Sequence, residues 1–256
     1  MLLTYKQTEL FYTAKGIGNP FVFLHGFLES SKIWGPFVEE LSKKRQVICI
    51  DLPGHGKSGV LNTVHSMELF AEAVHAVLQH LKVEKISLVG HSMGGYVSLA
   101  FCKKFPEMTG RLVLLNSSPL PDSEEKKINR DKAIALVRKN KKAFIKMAVS
   151  NLVTKESNLK FKDEIQGLID DALSFPEEGL ISALEGMKIR TDKIDVLKAF
   201  LGSKYIVASK QDPVIDYEEI KAIAEKCGCE LKSLPDGHLS FLENRTEVFK
   251  FLHLID

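Results

Sequence analysis

The sequence predicts an α/β fold: a mostly parallel eight-stranded sheet with helices on both faces and a helical cap inserted after the sixth strand. Three observations carry this. Short apolar runs recur at residues 21–24, 47–50, 86–89 (interrupted only by Ser87), 112–115 and 205–208, as expected for parallel strands covered on both faces. Amphipathic helical patterns alternate with these runs. From about residue 120 to residue 200 no strand pattern is visible, and helical patterns replace it. The core is therefore assigned to residues 1–118 and 201–256, and the cap to residues 119–200.

The elements follow in order. Residues 2–5 and 9–13 alternate like a hairpin, with a turn near Gln7. Residues 15–20 break the pattern, and residues 21–24 form a buried strand. This strand runs into His25-Gly26-Phe27-Leu28. A glycine after a buried strand lets the backbone approach a ligand closely, so the Phe27 amide is a candidate oxyanion donor. His25 reads as an organiser of that loop. A helix is expected over residues 31–44, with Trp34, Phe37, Val38 and Leu41 on one face, and Trp34 serves as core or pocket wall. Residues 46–50 form the next strand. The loop after it, Asp51-Leu-Pro-Gly-His-Gly-Lys-Ser58, lacks the spacing of a phosphate-binding P-loop. Residues 66–81 form an amphipathic helix capped by Ser66, with Glu68 and Glu72 in its early turns.

The stretch that organises the chain comes next: Ile86-Ser-Leu-Val-Gly-His-Ser-Met-Gly-Gly95. It is G-x-S-x-G between a strand and a helix. A serine hydroxyl is a useful nucleophile only where it projects from a sharp turn. Such a turn strains the serine and crowds its neighbours, and glycines two before and two after remove the clashing Cβ atoms. The helix that follows aims its N-terminus at the site, so the Met93 amide can donate to a developing oxyanion. Alone the pattern is weak; the flanking strand and helix make it specific.

Residues 111–115 form the sixth strand. In the cap, Phe144, Ile145, Ala148, Val149 and Leu152 share one helical face, as do Ile165, Leu168, Ile169, Ala172 and Leu173. Pro176 starts a further helix. Residues 126–146 are locally basic, which reads as a solvated face or as attraction for an anionic substrate. The sheet resumes at residues 204–208, and Asp212 lies in the loop beyond. A helix over residues 217–227, capped by Asp216, leads to the last strand, residues 230–234. His238 sits on the turn after it, and a final helix spans about residues 243–254.

Ser92, Asp212 and His238 each follow a candidate parallel strand. Those C-terminal ends line one edge of an open sheet, where ligands bind. His238 can take the serine proton near neutral pH, and a carboxylate behind it fixes the tautomer. Asp212 fits that place better than Asp216, which caps a helix, or Asp236, which is too close in the chain.

The motifs Leu24-His-Gly-Phe27, Asp51-Leu-Pro-Gly-His-Gly-Lys-Ser58, Gly90-His-Ser-Met-Gly-Gly95, Gln211-Asp-Pro-Val214 and Gly237-His238 resemble the α/β-hydrolase fold over nearly the whole chain, in its capped, esterase-like branch. The resemblance implies a Ser92–Asp212–His238 triad, an oxyanion hole at the Phe27 and Met93 amides, and a substrate pocket touching Phe27, Leu28, Trp34, His91 and Leu239. It implies no metal and no organic cofactor. A serine at position 92 excludes the dehalogenase and epoxide-hydrolase branches, which carry aspartate there. Some segments also resemble the menaquinone-pathway lyase, although that enzyme has arginine where this chain has Tyr96.

The leading expectation is a serine hydrolase cleaving a small carboxylic ester or thioester through an acyl-enzyme on Ser92. The alternative is a triad-dependent lyase or C–C hydrolase acting on an anionic substrate, marked by dependence on Arg130, Arg138 or Arg190. A non-catalytic ligand sensor is the third reading. A net charge of +2 argues neither for nor against nucleic acid. No nucleic-acid or membrane partner is expected, and no apolar run is long enough to span a bilayer. The four cysteines, Cys49, Cys102, Cys227 and Cys229, show no disulfide framework. The expected protein is a cytoplasmic monomer or homodimer working on a small ester-like molecule.

Overall fold

The computed structural model describes residues 1–255. Eight strands form one sheet: β1 (Leu2–Tyr5), β2 (Thr8–Lys15), β3 (Pro20–Leu24), β4 (Gln46–Ile50), β5 (Ile86–His91), β6 (Thr109–Leu115), β7 (Ser203–Ser209) and β8 (Glu230–Leu234). Their order across the sheet is β1-β2-β4-β3-β5-β6-β7-β8. β1–β2 and β2–β4 are antiparallel, and every later pair is parallel. The β1–β2 turn places Lys6 and Gln7 both at positive φ, the geometry of a tight two-residue hairpin loop. The central strands are buried on both faces, which is why they read as largely apolar runs without alternation.

The core helices are α1 (Gly35–Leu41), α2 (Met67–His80) and α3 (Met93–Lys104), with α9 (Tyr217–Cys227), α10 (Ser240–Glu243) and α11 (Arg245–Leu254) after the insertion. Ser66 caps α2 through its side chain on the Leu69 amide, and Asp216 caps α9 on the Glu219 amide. One expected helix is broken. Residues 31–44 give a 3₁₀ turn, Ser31–Trp34, and then α1. Pro36 has no N–H to continue the ladder from the turn before, so it starts a helix instead. The last helix, expected over about residues 243–254, is α11, and the short α10 precedes it across Asn244.

Between β6 and β7 lie α4 (Glu124–Ser150), α5 (Lys155–Lys160), α6 (Lys162–Leu173), α7 (Glu177–Lys188) and α8 (Ile194–Ala199). α4 is bent at Asn140, whose φ of −162° and ψ of 78° are not helical. The Asn140 side chain accepts the Ala143 amide and so caps the second half of the helix. α4 packs on both α6 and α7. α8 packs instead on α3 and α9, and its Leu197 joins the apolar cluster of Leu99, Ile206 and Ile220. The chain is therefore back on the core by α8, ahead of residue 201. Among the described residues no helix is long and apolar enough to cross a membrane.

α7 seats the cap on the loop between β4 and α2. The Ser182 carbonyl accepts the His65 amide, and the Ser182 hydroxyl donates to the Asn62 carbonyl. Gly186, one turn on, lies so close that a Cβ would overlap the His65 carbonyl oxygen. Gly186→Ala is expected to cost about 2 kcal/mol by overpacking and to lower Tm by about 5 °C. Calorimetry of the variant checks this.

Candidate active site

The turn at Ser92 is the local structure from which the site is built. β5 ends at His91 and α3 begins at Met93, leaving Ser92 at φ 49° and ψ −115°. This is a sparsely populated conformation for a residue with a side chain. It is tolerated because the glycines on each side admit close backbone contact. A Cβ on Gly90 would overlap the Gly94 carbonyl, and one on Gly94 would overlap the Leu24 carbonyl at the end of β3. The Ser92 amide donates to the Leu115 carbonyl at 3.0 Å, and its carbonyl accepts the Ser117 hydroxyl at 2.7 Å. The hydroxyl is left to point outward.

Ser92, His238 and Asp212 meet at the C-terminal edge of the sheet. His238 Nε2 lies 2.8 Å from Ser92 Oγ, and His238 Nδ1 lies 2.7 Å from Asp212 Oδ2. Asp212 is held from behind. Its Oδ1 accepts the Val214 and Ile215 amides at 2.8 and 3.1 Å, and its Oδ2 accepts Asn116 Nδ2 at 2.9 Å. Burial on its own would raise the Asp212 carboxyl. The His238 charge, its hydrogen bond and the Asn116 and Val214 donors outweigh this and hold it below the ordinary value. Asp212 therefore stays ionised at neutral pH. Asn116, at positive φ on the end of β6, also accepts the Ser240 hydroxyl, so it ties Asp212 to α10. Asn116 is absent from the site read in the sequence; a polar residue at the C-terminal end of a buried strand is the signal that marks it.

The His238 backbone is clamped on each side. Its amide donates to the Leu152 carbonyl of the cap at 2.9 Å, and its carbonyl accepts His91 Nε2 at 3.0 Å. The neighbouring Gly237 and Leu239 amides donate to Glu243 at 3.2 and 3.1 Å. Burial pushes the Glu243 carboxyl up, against the pull of these donors.

The substrate-binding set divides. Phe27 and Leu28 line a cavity of about 470 Å³ that opens on Ser92 and His238, with Tyr96, Phe144, Leu184 and Met187 on other walls. Three expected contacts do not reach it. Trp34 is wholly buried against Phe23, Phe37 and Phe241, because the break before Pro36 turns it into the core. Leu239 is wholly buried at the start of α10. His91, the last residue of β5, is buried beneath the turn rather than in the pocket. Of the two expected oxyanion donors, Phe27 is on the cavity wall and Met93 is the first residue of α3. Gly26, just before Phe27, donates its amide to Glu29 Oε2 at 2.6 Å, and His25 holds the Leu52 amide at 2.9 Å. Cys49 and Cys102 are no rival nucleophiles: burial pushes each thiol up to about 12.

Glu29 was not singled out from the sequence. Its Oε2 lies 3.0 Å from His91 Nδ1, and both side chains are buried. For His91, burial opposes the charge but Glu29 outweighs it, and the ring is raised above its ordinary value. For Glu29, burial likewise opposes the charge, but His91 and the Gly26 amide pull it down. The pair is thus an ion pair that joins the Gly26–Phe27 loop to the His238 carbonyl.

Residues 19–245 match the family described as alpha/beta hydrolase fold. The chain belongs to the α/β-hydrolase family, a family of hydrolytic enzymes. Among solved structures it is similar to a thermophilic esterase from Thermogutta terrifontis, malate bound, at 31% identity and a TM-score of 0.91, covering 96% of this chain and 92% of that one. The enol-lactonase from Burkholderia xenovorans LB400 has a TM-score of 0.91 at 20% identity over 98% of each chain, a likeness of fold alone. The dihydrolipoyllysine-residue acetyltransferase component of the acetoin cleaving system of Pseudomonas putida is 30% identical over 239 residues, 90% of this chain. The chain spans less than two thirds of the length of the curated relatives it matches: 61% of that protein and 30% of one from Mycobacterium tuberculosis.

A Glu29→Gln variant separates the ion pair from simple packing. The Glu29 contribution is present above the ordinary carboxyl value of about 4.3 and is lost on acidification. The His91 contribution is present below the ordinary imidazole value of about 6.5 and is lost as pH rises through the raised value. The variant is therefore expected to lose most stability near pH 5.5, about 3 kcal/mol, and less above pH 8. Urea unfolding of both proteins across this range measures it.

Proposed function

We propose that the protein is a serine hydrolase that cleaves a small carboxylic ester, lactone or thioester through an acyl-enzyme on Ser92. The observation that carries this reading is the unbroken relay from Ser92 Oγ through His238 to Asp212, with contacts of 2.8 and 2.7 Å. The hydroxyl end of the relay opens into the cavity. His238 Nε2 takes the proton as Ser92 Oγ attacks the carbonyl carbon. Asp212 holds the ring orientation and stabilises the imidazolium. The Phe27 and Met93 amides receive the oxyanion, each acting only once the carbonyl oxygen has become negative. The leaving group departs with the His238 proton. His238 then deprotonates a water that releases the acid, and the serine is regenerated. This chemistry requires no metal or organic cofactor.

The esterase name of the Thermogutta protein and the enol-lactonase name of the Burkholderia protein fit one bond type, an acyl carbon bonded to oxygen. The arginine-dependent lyase is less well supported. Position 96 is tyrosine, and Arg190 lies over that ring at 4.0 Å, tied to Asp122. Arg138 is on the exposed side of α4, and of the three arginines only Arg130 lies on the cavity wall.

The test is stopped-flow release of 4-nitrophenol from esters of acetate to octanoate. A burst equal to the enzyme concentration is expected, and Ser92→Ala should abolish it. A folded protein with neither burst nor turnover would sink the reading. Asp212→Asn should keep the fold and lower kcat by roughly 10⁴-fold, as loss of the orienting carboxylate does elsewhere.

A further inference from the structure

Most of the cavity wall is apolar, with Asn151 and Glu29 among its polar residues, and at one corner the chain entering α4 brings Asp122, Lys126 and Arg130 together. Asp122 has no exposed side-chain surface and faces two cations. Arg190 Nη1 is 2.6 Å from Oδ1, and Arg130 Nε is 3.1 Å from Oδ2. Arg190 is used up by the fold. It is 6% exposed, lies over Tyr96, and donates to the Leu120 and Met187 carbonyls. Arg130 is different. It spends only Nε on Asp122 and is 23% exposed on the cavity wall. Among the described residues its Nη fork has no protein partner. Lys126 adds a third cation, with a long 3.5 Å contact to the Val214 carbonyl. One carboxylate against three cations leaves the corner two charges positive. Glu29, the other carboxylate on the wall, does not offset this, because it is paired with His91.

A planar guanidinium with a free fork beside an apolar wall matches a carboxylate, which it can hold with two parallel hydrogen bonds. We propose that the substrate of Ser92 carries a carboxylate remote from the scissile carbonyl, received by the Arg130 fork with Lys126 beside it: a dicarboxylic acid monoester or a carboxylated lactone. This rests on the acyl-enzyme reading above. The apolar wall between corner and nucleophile takes the connecting carbon chain, and the excess charge draws the anion in.

The test compares kcat/KM for mono-4-nitrophenyl adipate with that for its methyl-capped counterpart, which has the same chain and no charge. The wild type should favour the charged ester about tenfold at low salt, with the advantage shrinking as salt screens it. Arg130→Gln should bring the ratio towards one by acting mainly on the charged ester. Lys126→Gln, on an exposed side chain, should shift it the same way by less. A wild-type ratio at or below one, with Ser92-dependent turnover of both esters, overturns the carboxylate assignment and leaves the acyl-enzyme intact. So does a preference that survives both substitutions. No Ser92-dependent release from either ester overturns both.

Discussion

Ser92 is held at φ 49° and ψ −115° between a strand and a helix, and the rest of the site is arranged so that this turn persists. Such a conformation costs about 1–3 kcal/mol. The cost is met by contacts that only two glycines permit, with β3 pressed against Gly94 and the α3 backbone against Gly90. The turn also needs β5 at the centre of the sheet, between β3 and β6, so that a strand on each side fixes its end. Strain, sheet order and nucleophile position are one constraint.

The base is held by a different principle. His238 lies on a loop, which on its own would be mobile. Its amide is bonded to the cap at Leu152, its carbonyl to β5 at His91, and both neighbouring amides to α10 at Glu243. The cap thus bears on the chemistry through the backbone of the histidine as well as through the cavity wall. The Glu29–His91 pair extends the same network to the loop carrying Phe27, so the proposed oxyanion donor and the base share one buried anchor.

The cap supplies most of the apolar cavity wall and, with the segment leading into α4, its only cluster of positive charge among the described residues. Asp122 decides how that charge is used. It binds each arginine through one nitrogen, but the Leu120 and Met187 carbonyls also hold Arg190 in the fold, while Arg130 is presented to the cavity. α7 fixes the distance of this wall from the nucleophile, since Gly186 lets it rest directly on the His65 backbone.

The sequence by itself determined whatever depends on near neighbours. The glycines around Ser92 were legible because the turn is local: a Cβ on Gly90 would meet Gly94 four residues on, although the clash that Gly94 avoids is with the distant Leu24 carbonyl. The strands were legible because burial on both faces leaves a largely apolar run without alternation. Ser66 and Asp216 were legible because a cap acts on an amide three residues away. The placing of Ser92, Asp212 and His238 on one edge followed from the rule that strand ends in a parallel sheet face one way. Only the tertiary structure decided what depends on residues far apart in the chain. Glu29 meets His91 across 62 residues, Asn116 meets Asp212 across 96, and Arg190 meets Asp122 across 68. Trp34, His91 and Leu239 have the residue types of a pocket wall, yet they are buried, because a side chain's surroundings are set by which elements pack on it. No local pattern encodes that packing, so the chemistry could be read along the chain while the shape and charge of its pocket could not.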